Sequence, residues 1–320
     1  MTGVVPADQG VGVDATSNIT ISFDSPMDRV ITEAAFSVSG RNPSSFEFTW
    51  NRESTTMTAT PIQPLEYAEG ILGATVIAKS YTVTVASSAR DARGRPLLPF
   101  SSIFKTKRLL VGEGLFQSHL SRTLSWSCQG CSSATATYRG ELRDIGVGYG
   151  DMSRPGAFCV GPVFIQPAFN NWWEEVLISF LIRQVPPAPI VTSAQLTLNQ
   201  YSAPSMPLPG RKLAVDTVAY GVQSFGLDNG SIPLATEVAV SSGLTVYGST
   251  EVAGALVETG AKTAFVTREV QSAMNASSSK VQFRVRVSPE GWLHTDETTG
   301  SCFSQEGASE PSLRFTVAIP

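Results

Sequence analysis

A nearly all-β protein of two domains is what this sequence predicts, and three observations predict it. Short runs alternate apolar and polar side chains, which is the period of a half-buried strand. Turn residues, including 27 Gly and 20 Pro, break those runs at intervals suited to β-sandwiches. At 320 residues the chain is long enough for two domains that each bury a core of their own.

The first domain is expected over residues 1–108. Its strands read as "ITISF" (Ile19 to Phe23), "FEFTW" (Phe46 to Trp50), "TTMTATP" (Thr55 to Pro61), "YTVTV" (Tyr81 to Val85) and "SIFKTK" (Ser102 to Lys107). "MDRVITEAAF" reads as a helical turn or two between strands, and "DARGRPL" (Asp91 to Leu97) as a tight Gly turn before the last strand. The second domain is expected over residues 109–320, beginning near "LLVGEGLF". Its best-marked strands lie in "EEVLISFLIRQVPPAPIVTSAQLTLNQYS" (Glu174 to Ser202), "LAVDTVAYG" (Leu213 to Gly221), "VQFRVRV" (Val281 to Val287) and "PSLRFTVAI" (Pro311 to Ile319). One short helix is predicted in "TREVQSAMN", with Thr267 as N-cap and Val270 and Met274 at i, i+4 on one packed face.

The order of pieces in the first domain resembles the SbsA-type bacterial immunoglobulin-like (Ig-like) domain: "VVPADQGVGVDATSNITISFDSPMD" opens it, then "FSVSG", "YTVTV", "DARGRPL" and a closing F-x-T follow. The resemblance implies an Ig-like sandwich of the kind that serves as spacer or adhesive module in secreted and surface proteins of bacteria, without an active site. In the second domain, "SFLI", a proline-rich turn, "IVTSAQLTL", "AFVTREVQSA", "VQFRVRV" and a terminal P-x-L-x-F are similar to the DNRLRE-type domain. That resemblance implies a jelly-roll-like β-sandwich of large bacterial extracellular proteins, some relatives of which bind carbohydrate, alginate included. Glu174 and Glu175 stand where that family tends to carry a basic residue, and Leu181 where it carries an acidic one.

Charge narrows the partners. The formal net charge of -4 is spread without runs of one sign, so no basic stripe is present to neutralise phosphates and nucleic acid is excluded as a partner. "VLISFLI" (Val176 to Ile182) is far shorter than the roughly 18–20 apolar residues of a spanning helix, so no membrane-spanning segment is expected. "MTGVVPADQGVGVD" lacks a charged leader and apolar run, so a signal peptide is expected to be absent from this chain of a secreted or surface-displayed protein.

Four cysteines, Cys128, Cys131, Cys159 and Cys302, favour two disulfides in an oxidising compartment. Three connectivities are open; the preferred one joins Cys128 to Cys131 across Gln129-Gly130 and Cys159 to Cys302 as a long-range staple. A zinc site competes, but the C-x2-C has no second C-x2-C, and His119 and His294, both in polar, loop-like surroundings, form no compact pair.

The stretch "FNNWWEEVLISF" (Phe169 to Phe180) carries the candidate site. Strand parity puts Trp172, Glu174, Val176, Ile178 and Phe180 on one face and Trp173, Glu175, Leu177 and Ser179 on the other. Both faces are apolar beyond the glutamates, as in a central strand covered on both sides. One indole then points inward and the other lies near a rim. A flat ring beside amide and carboxylate groups suits a pyranose, whose C–H face stacks while its hydroxyls form hydrogen bonds. The candidate carbohydrate contacts are Trp172 or Trp173 as anchor, with Asn170, Asn171 and Glu175 beside it and Tyr201 and Trp292 as further ring donors. The competing reading makes both indoles partly buried caps on the sandwich end.

No catalytic residue is assigned. A glycosidase needs two carboxyl groups about 5–9.5 Å apart across one bond. Glu174 and Glu175 point to opposite faces, and only a loop partner such as Asp296 or Glu297 would complete a pair. G-x-S-x-G, P-loop, dinucleotide and H-E-x-x-H signatures are missing. No cofactor is required, although calcium is weighed at Asp151, Asp228 and Asn229 in the Gly-rich turns "YGDMS" and "GLDNGS"; ordinary turn chemistry accounts equally for those residues. The expected function is non-catalytic binding of extracellular polysaccharide by the second domain. The alternative is a structural or adhesive subunit contacting another surface protein, with a polysaccharide-degrading enzyme as the minor one.

Overall fold

The computed structural model describes residues 1–129, 137–143, 157–164, 170–183, 187–203, 210–219, 232–233, 245–253, 258–288, 301–304 and 309–320. Of residues 117–129, 137–143, 157, 162–164, 170–174, 218–219, 232–233 and 245–249 it describes the backbone alone. The protein is all-β, an Ig-like domain followed by a β-sandwich. It divides into two compact units, Met1–Val111 with Val317–Pro320, and Gly112–Thr316.

The first unit contains β1 (Gly3–Val5), β2 (Gly10–Val13), β3 (Ile19–Ser22), α1 (Arg29–Ala34), β4 (Phe36–Val38), β5 (Phe46–Trp50), β6 (Thr56–Pro61), β7 (Ala68–Ile71), β8 (Ser80–Val85) and β9 (Phe100–Thr106). Two four-stranded sheets, β1-β3-β6-β5 and β2-β9-β8-β4, enclose its core. Alternation in sequence becomes alternation in burial. Ile19 and Ile21 of β3 register with Ala59 and Met57 of β6, and all four are buried. Val83, Val85 and Phe104 line the opposing sheet. Phe36 meets Phe46 and Phe48 edge-on at 5.2 and 5.5 Å, the arrangement that aromatic quadrupoles favour.

Side chains close the connections. Asp28 caps α1 by accepting the Ile31 N–H at 3.1 Å. The Asp91 carboxylate accepts the Arg93 and Arg95 N–H groups at 2.9 and 2.8 Å and the Arg95 guanidinium at 2.6 Å. That ring of bonds wraps the chain around Gly94, whose φ of 79° is a conformation glycine adopts without steric cost.

The second unit is built from β10 (Arg108–Gln129, whose first residues belong to the first unit), β11 (Thr137–Arg143), β12 (Ala157–Phe164), β13 (Asn170–Leu181), β14 (Ile190–Ser202), β15 (Lys212–Ala219), β16 (Ile232–Pro233), β17 (Thr245–Glu251), β18 (Gly260–Phe265), α2 (Thr267–Asn275), β19 (Lys280–Ser288), β20 (Ser301–Ser304) and β21 (Ser312–Ile319, whose last residues belong to the first unit). Its hydrogen-bonded path runs β16-β11-β10-β21-β14-β20-β12-β13-β19-β15-β17, with β18 on β14. Because β10 also pairs with β13, six of these strands close on themselves. β12 makes the corner. Its residues Ala157 to Val160 pair with β20, its residues Gly161 to Phe164 pair with β13, and Gly161 turns between them at φ 105°. Cys159 and Cys302 face each other in the β12–β20 register and are joined by a disulfide.

The α2 helix exists where expected and buries Val270 and Met274, but its N-cap is Val266, not Thr267. The Thr267 hydroxyl is committed elsewhere: it accepts the Ala194 N–H of β14 at 3.0 Å, while the Val266 N–H donates to the Ala194 carbonyl at 2.9 Å. Docking to the strand takes precedence over local capping.

Two expected outcomes follow. The Cys159–Cys302 bond spans 143 residues of the second unit, and loop-closure entropy assigns such a cross-link about 5 kcal/mol at most. Reduction is expected to lower one calorimetric transition of the full chain and to leave the other, that of the cysteine-free first unit, in place. That remaining transition depends on acid. The Ile103 N–H holds Asp8 below the ordinary carboxylate range, Lys107 does so for Asp14 and Lys79 for Glu66. Burial pushes Asp91 up, but the Arg95 N–H and guanidinium outweigh it and the net shift is down. Depressed folded-state values stabilise above the unfolded value and lose that contribution as pH falls through the folded one. Melting of the first unit is therefore expected to be level above about pH 5 and to drop below about pH 4. Asp8→Asn and Asp14→Asn are expected to shrink the acid-dependent drop.

Candidate functional site

The predicted site lies on β13. One edge of this strand pairs with β10 over nearly its whole length, from Ser127↔Asn170 to Leu115↔Leu181. The other edge is shared: β12 takes Asn171 to Glu174 and β19 takes Val176 to Leu181. Val176, Leu177, Ile178 and Phe180 are all buried, so both faces are covered, as the doubly apolar pattern implied. Phe180 packs on Phe116 and Phe283 at 5.7 and 6.2 Å between ring centroids.

Register places Trp172 between Ser125 and Val163, and Trp173 between Leu124 and Pro162. The side chains of Asn170, Asn171, Trp172 and Trp173 lie outside what is described, as do the whole of Trp292, the calcium candidates Asp151, Asp228 and Asn229, and Cys131 with the Cys128 side chain. Tyr201 closes β14 and is 44% exposed.

Glu175 requires a correction. It was expected as a polar neighbour at an open rim, and it is 1% exposed. Its carboxylate faces the guanidinium of Arg284, with Nη1 to Oε2 at 3.4 Å. Strand register explains the encounter. Leu177 of β13, Arg284 of β19 and Asp216 of β15 form one cross-strand row, and Glu175 and Arg286 flank it on the same face. Asp216 Oδ2 accepts from Arg284 Nε and from Arg286 Nε, each at 2.7 Å, and Oδ1 accepts from Arg286 Nη2 at 3.3 Å. Two carboxylates and two guanidinium groups thus neutralise one another where Asp216, Glu175 and Arg284 are nearly inaccessible to water.

Chemically this arrangement is a fastener. Arg284 bridges Glu175 and Asp216, so the two acids share a cation instead of facing each other across an open gap of the kind glycoside hydrolysis uses. Arg284, Arg286 and Asp216 were not singled out from sequence. The signal was present: "VQFRVRV" and "LAVDTVA" each carry ionic side chains inside a strand too apolar to face water, and a buried charge demands a partner of opposite sign. Among the described residues no group of three or more His, Cys, Asp or Glu is arranged to hold a metal ion.

Asp216→Ala is expected to cost the second unit about 3–5 kcal/mol by leaving two guanidinium groups with one carboxylate, and Glu175→Gln, whose contact to Arg284 is the longer at 3.4 Å, is expected to cost less than Asp216→Ala. Denaturant unfolding of the full chain measures both.

Residues 1–106 match the family model of the bacterial Ig-like domain. No curated protein matches the chain. Among solved structures it is similar to an L,D-transpeptidase from Mycobacterium smegmatis, at 13% identity over 46% of this chain and 75% of that one, with a TM-score of 0.25. A likeness that slight carries no statement about activity. No helix among the described residues is long and apolar enough to cross a membrane.

Proposed function

We propose that this is a non-catalytic protein of the bacterial exterior in which the Ig-like domain serves as spacer and the second sandwich binds extracellular polysaccharide. The Ig-like match over residues 1–106 implies a bacterial surface or extracellular protein. The Cys159–Cys302 cross-link accords with an oxidising compartment. The observation that carries the binding half is Tyr201. Its ring is 44% exposed at the end of a strand whose alternate residues, Leu196, Leu198 and Gln200, are buried. A rigid sheet then presents an aromatic face, the group on which the C–H face of a sugar stacks. Trp172 or Trp173 is proposed as a further anchor, with Asn170 and Asn171 as polar neighbours; Glu175 is withdrawn from that set by its burial.

Affinity gels with soluble polysaccharides test this reading. Removal of a stacking ring in Trp172→Ala, Trp173→Ala or Tyr201→Ala is expected to weaken retention by about 1 kcal/mol, roughly fivefold. Unchanged retention in all three, or none in the parent, defeats the assignment. Turnover of the polysaccharide by the full chain would establish an enzyme instead.

One observation favours a second reading, an adhesive or structural subunit. Ile77 and Leu98 of the first unit are 82% and 86% exposed, and a protein partner that covered them would remove that apolar surface from water. Discrete oligomers on size-exclusion chromatography that dissolve in Ile77→Ser or Leu98→Ser would decide for it.

A further inference from the structure

The outward face of the β14–β18 pair joins one predicted site residue, Tyr201, to a row of residues that the sequence did not single out. Along β14, Ala194, Leu196, Leu198 and Gln200 are buried while Gln195, Thr197 and Asn199 are half-buried and Tyr201 is exposed. β18 alternates in step, with Lys262 and Ala264 buried and Ala261, Thr263 and Phe265 turned the other way. Register therefore stacks three outward rows: Gln195 beside Phe265, Thr197 beside Thr263, Asn199 beside Ala261. Phe265 at one end is 69% exposed and Tyr201 at the other 44%.

The two rings stand along one strand direction. Tyr201 follows Gln195, the partner of Phe265, by six positions (195 to 201), which at a strand's rise is roughly 20 Å. Tyr201 also falls at an irregularity in the pairing with β20, between Gln200↔Phe303 and Ser202↔Cys302, and such bulges re-aim a side chain. Asn199 donates to the Ser309 carbonyl at 3.2 Å, which fixes its amide on the sheet.

We propose that this face is a stacking platform for an uncharged linear polysaccharide lying along β14, with Phe265 and Tyr201 as terminal rings and Gln195, Thr197, Thr263 and Asn199 as hydrogen-bonding groups between them. The proposal rests on the polysaccharide reading above and gives it a location and a ligand class. The rows between the rings are amides, hydroxyls and a methyl group, the chemistry of an uncharged sugar chain; Arg314, exposed on the neighbouring strand β21, stands to the side of these rows and belongs to none of them. Amides and hydroxyls both donate and accept, as sugar hydroxyls do. An open sheet face suits an extended chain, whereas a single sugar would call for a concave pocket. The distance between the rings is too long for one sugar to bridge, so several linked rings are needed to occupy both.

The test uses the full chain with a soluble glucan, xylan and galactomannan, matched di-, tetra- and hexasaccharides, and alginate as the ionised probe, read by affinity electrophoresis and calorimetry. Neutral hexasaccharide is expected to bind about tenfold more tightly than disaccharide, and Phe265→Ala and Tyr201→Ala each to remove most of that advantage with melting unchanged. Binding that depends on Trp172 or Trp173 but not on Phe265 or Tyr201 overturns the platform and leaves the polysaccharide reading standing. So does retention of alginate alone. A concentration-dependent dimer that Phe265→Ala dissolves assigns the face to a second copy and overturns it too. Retention of none of these polymers removes both.

Discussion

Hydrogen bonding along both edges of β13 is the constraint on which the second unit depends. β10 occupies one edge; β12 and β19 divide the other. A strand so enclosed cannot slip by one residue without exchanging its two faces, and here one face holds Val176, Ile178 and Phe180 while the other holds Glu175 and Leu177. Slippage would drive a carboxylate into the aromatic cluster of Phe116, Phe180 and Phe283. The ring of strands from β10 through β21, β14, β20 and β12 back to β13 is consequently held in one register, and β12 can change sheets at Gly161 only because both partners are already fixed.

The ionic cluster follows from the same register. A buried ion pair adds little to stability compared with apolar residues of equal volume, because desolvation offsets the Coulombic gain. What it adds is specificity. Asp216, Arg284, Arg286 and Glu175 meet only when β13, β19 and β15 align as observed, so any other alignment would bury charge without a partner. Both oxygens of Asp216 accept from guanidinium groups, which commits that acid to the cluster.

Much of the fold was legible where burial follows a simple period. "FEFTW" is β5 from end to end, and "TREVQSAMN" is α2 residue for residue. β10 was not legible, and the reason is physical. Its 22 residues change partners, from β7 at Arg108 to Val111 to β13 beyond Leu115, and a register shift between Phe116 and Ser118 breaks the parity that a periodic reading requires. β12 was hidden by Gly161-Pro162, a pair that ordinarily ends a strand and here turns one between sheets. At the candidate site, parity correctly covered both faces of β13, yet pairwise burial of Glu175 needed the neighbours of β19 and β15, which lie more than a hundred and some forty residues away along the chain.

A surface for recognition must hold its groups still, and the distribution of constraint in the second unit bears on where that surface lies. The face of β13, β19 and β15 that carries the ionic cluster is committed to its own interior bonds. The outward face of β14 and β18 is different: its inward residues are anchored among buried apolar groups, α2 is fastened to β14 through Thr267 and Gln271, and the disulfide ties β12 to β20 beside Tyr201. Rings mounted on such a frame lose little freedom on meeting a ligand, since the backbone beneath them is already ordered. Exposed aromatic rings carry a hydration cost that folding leaves unrelieved, and a partner that covers both Phe265 and Tyr201 recovers it on binding.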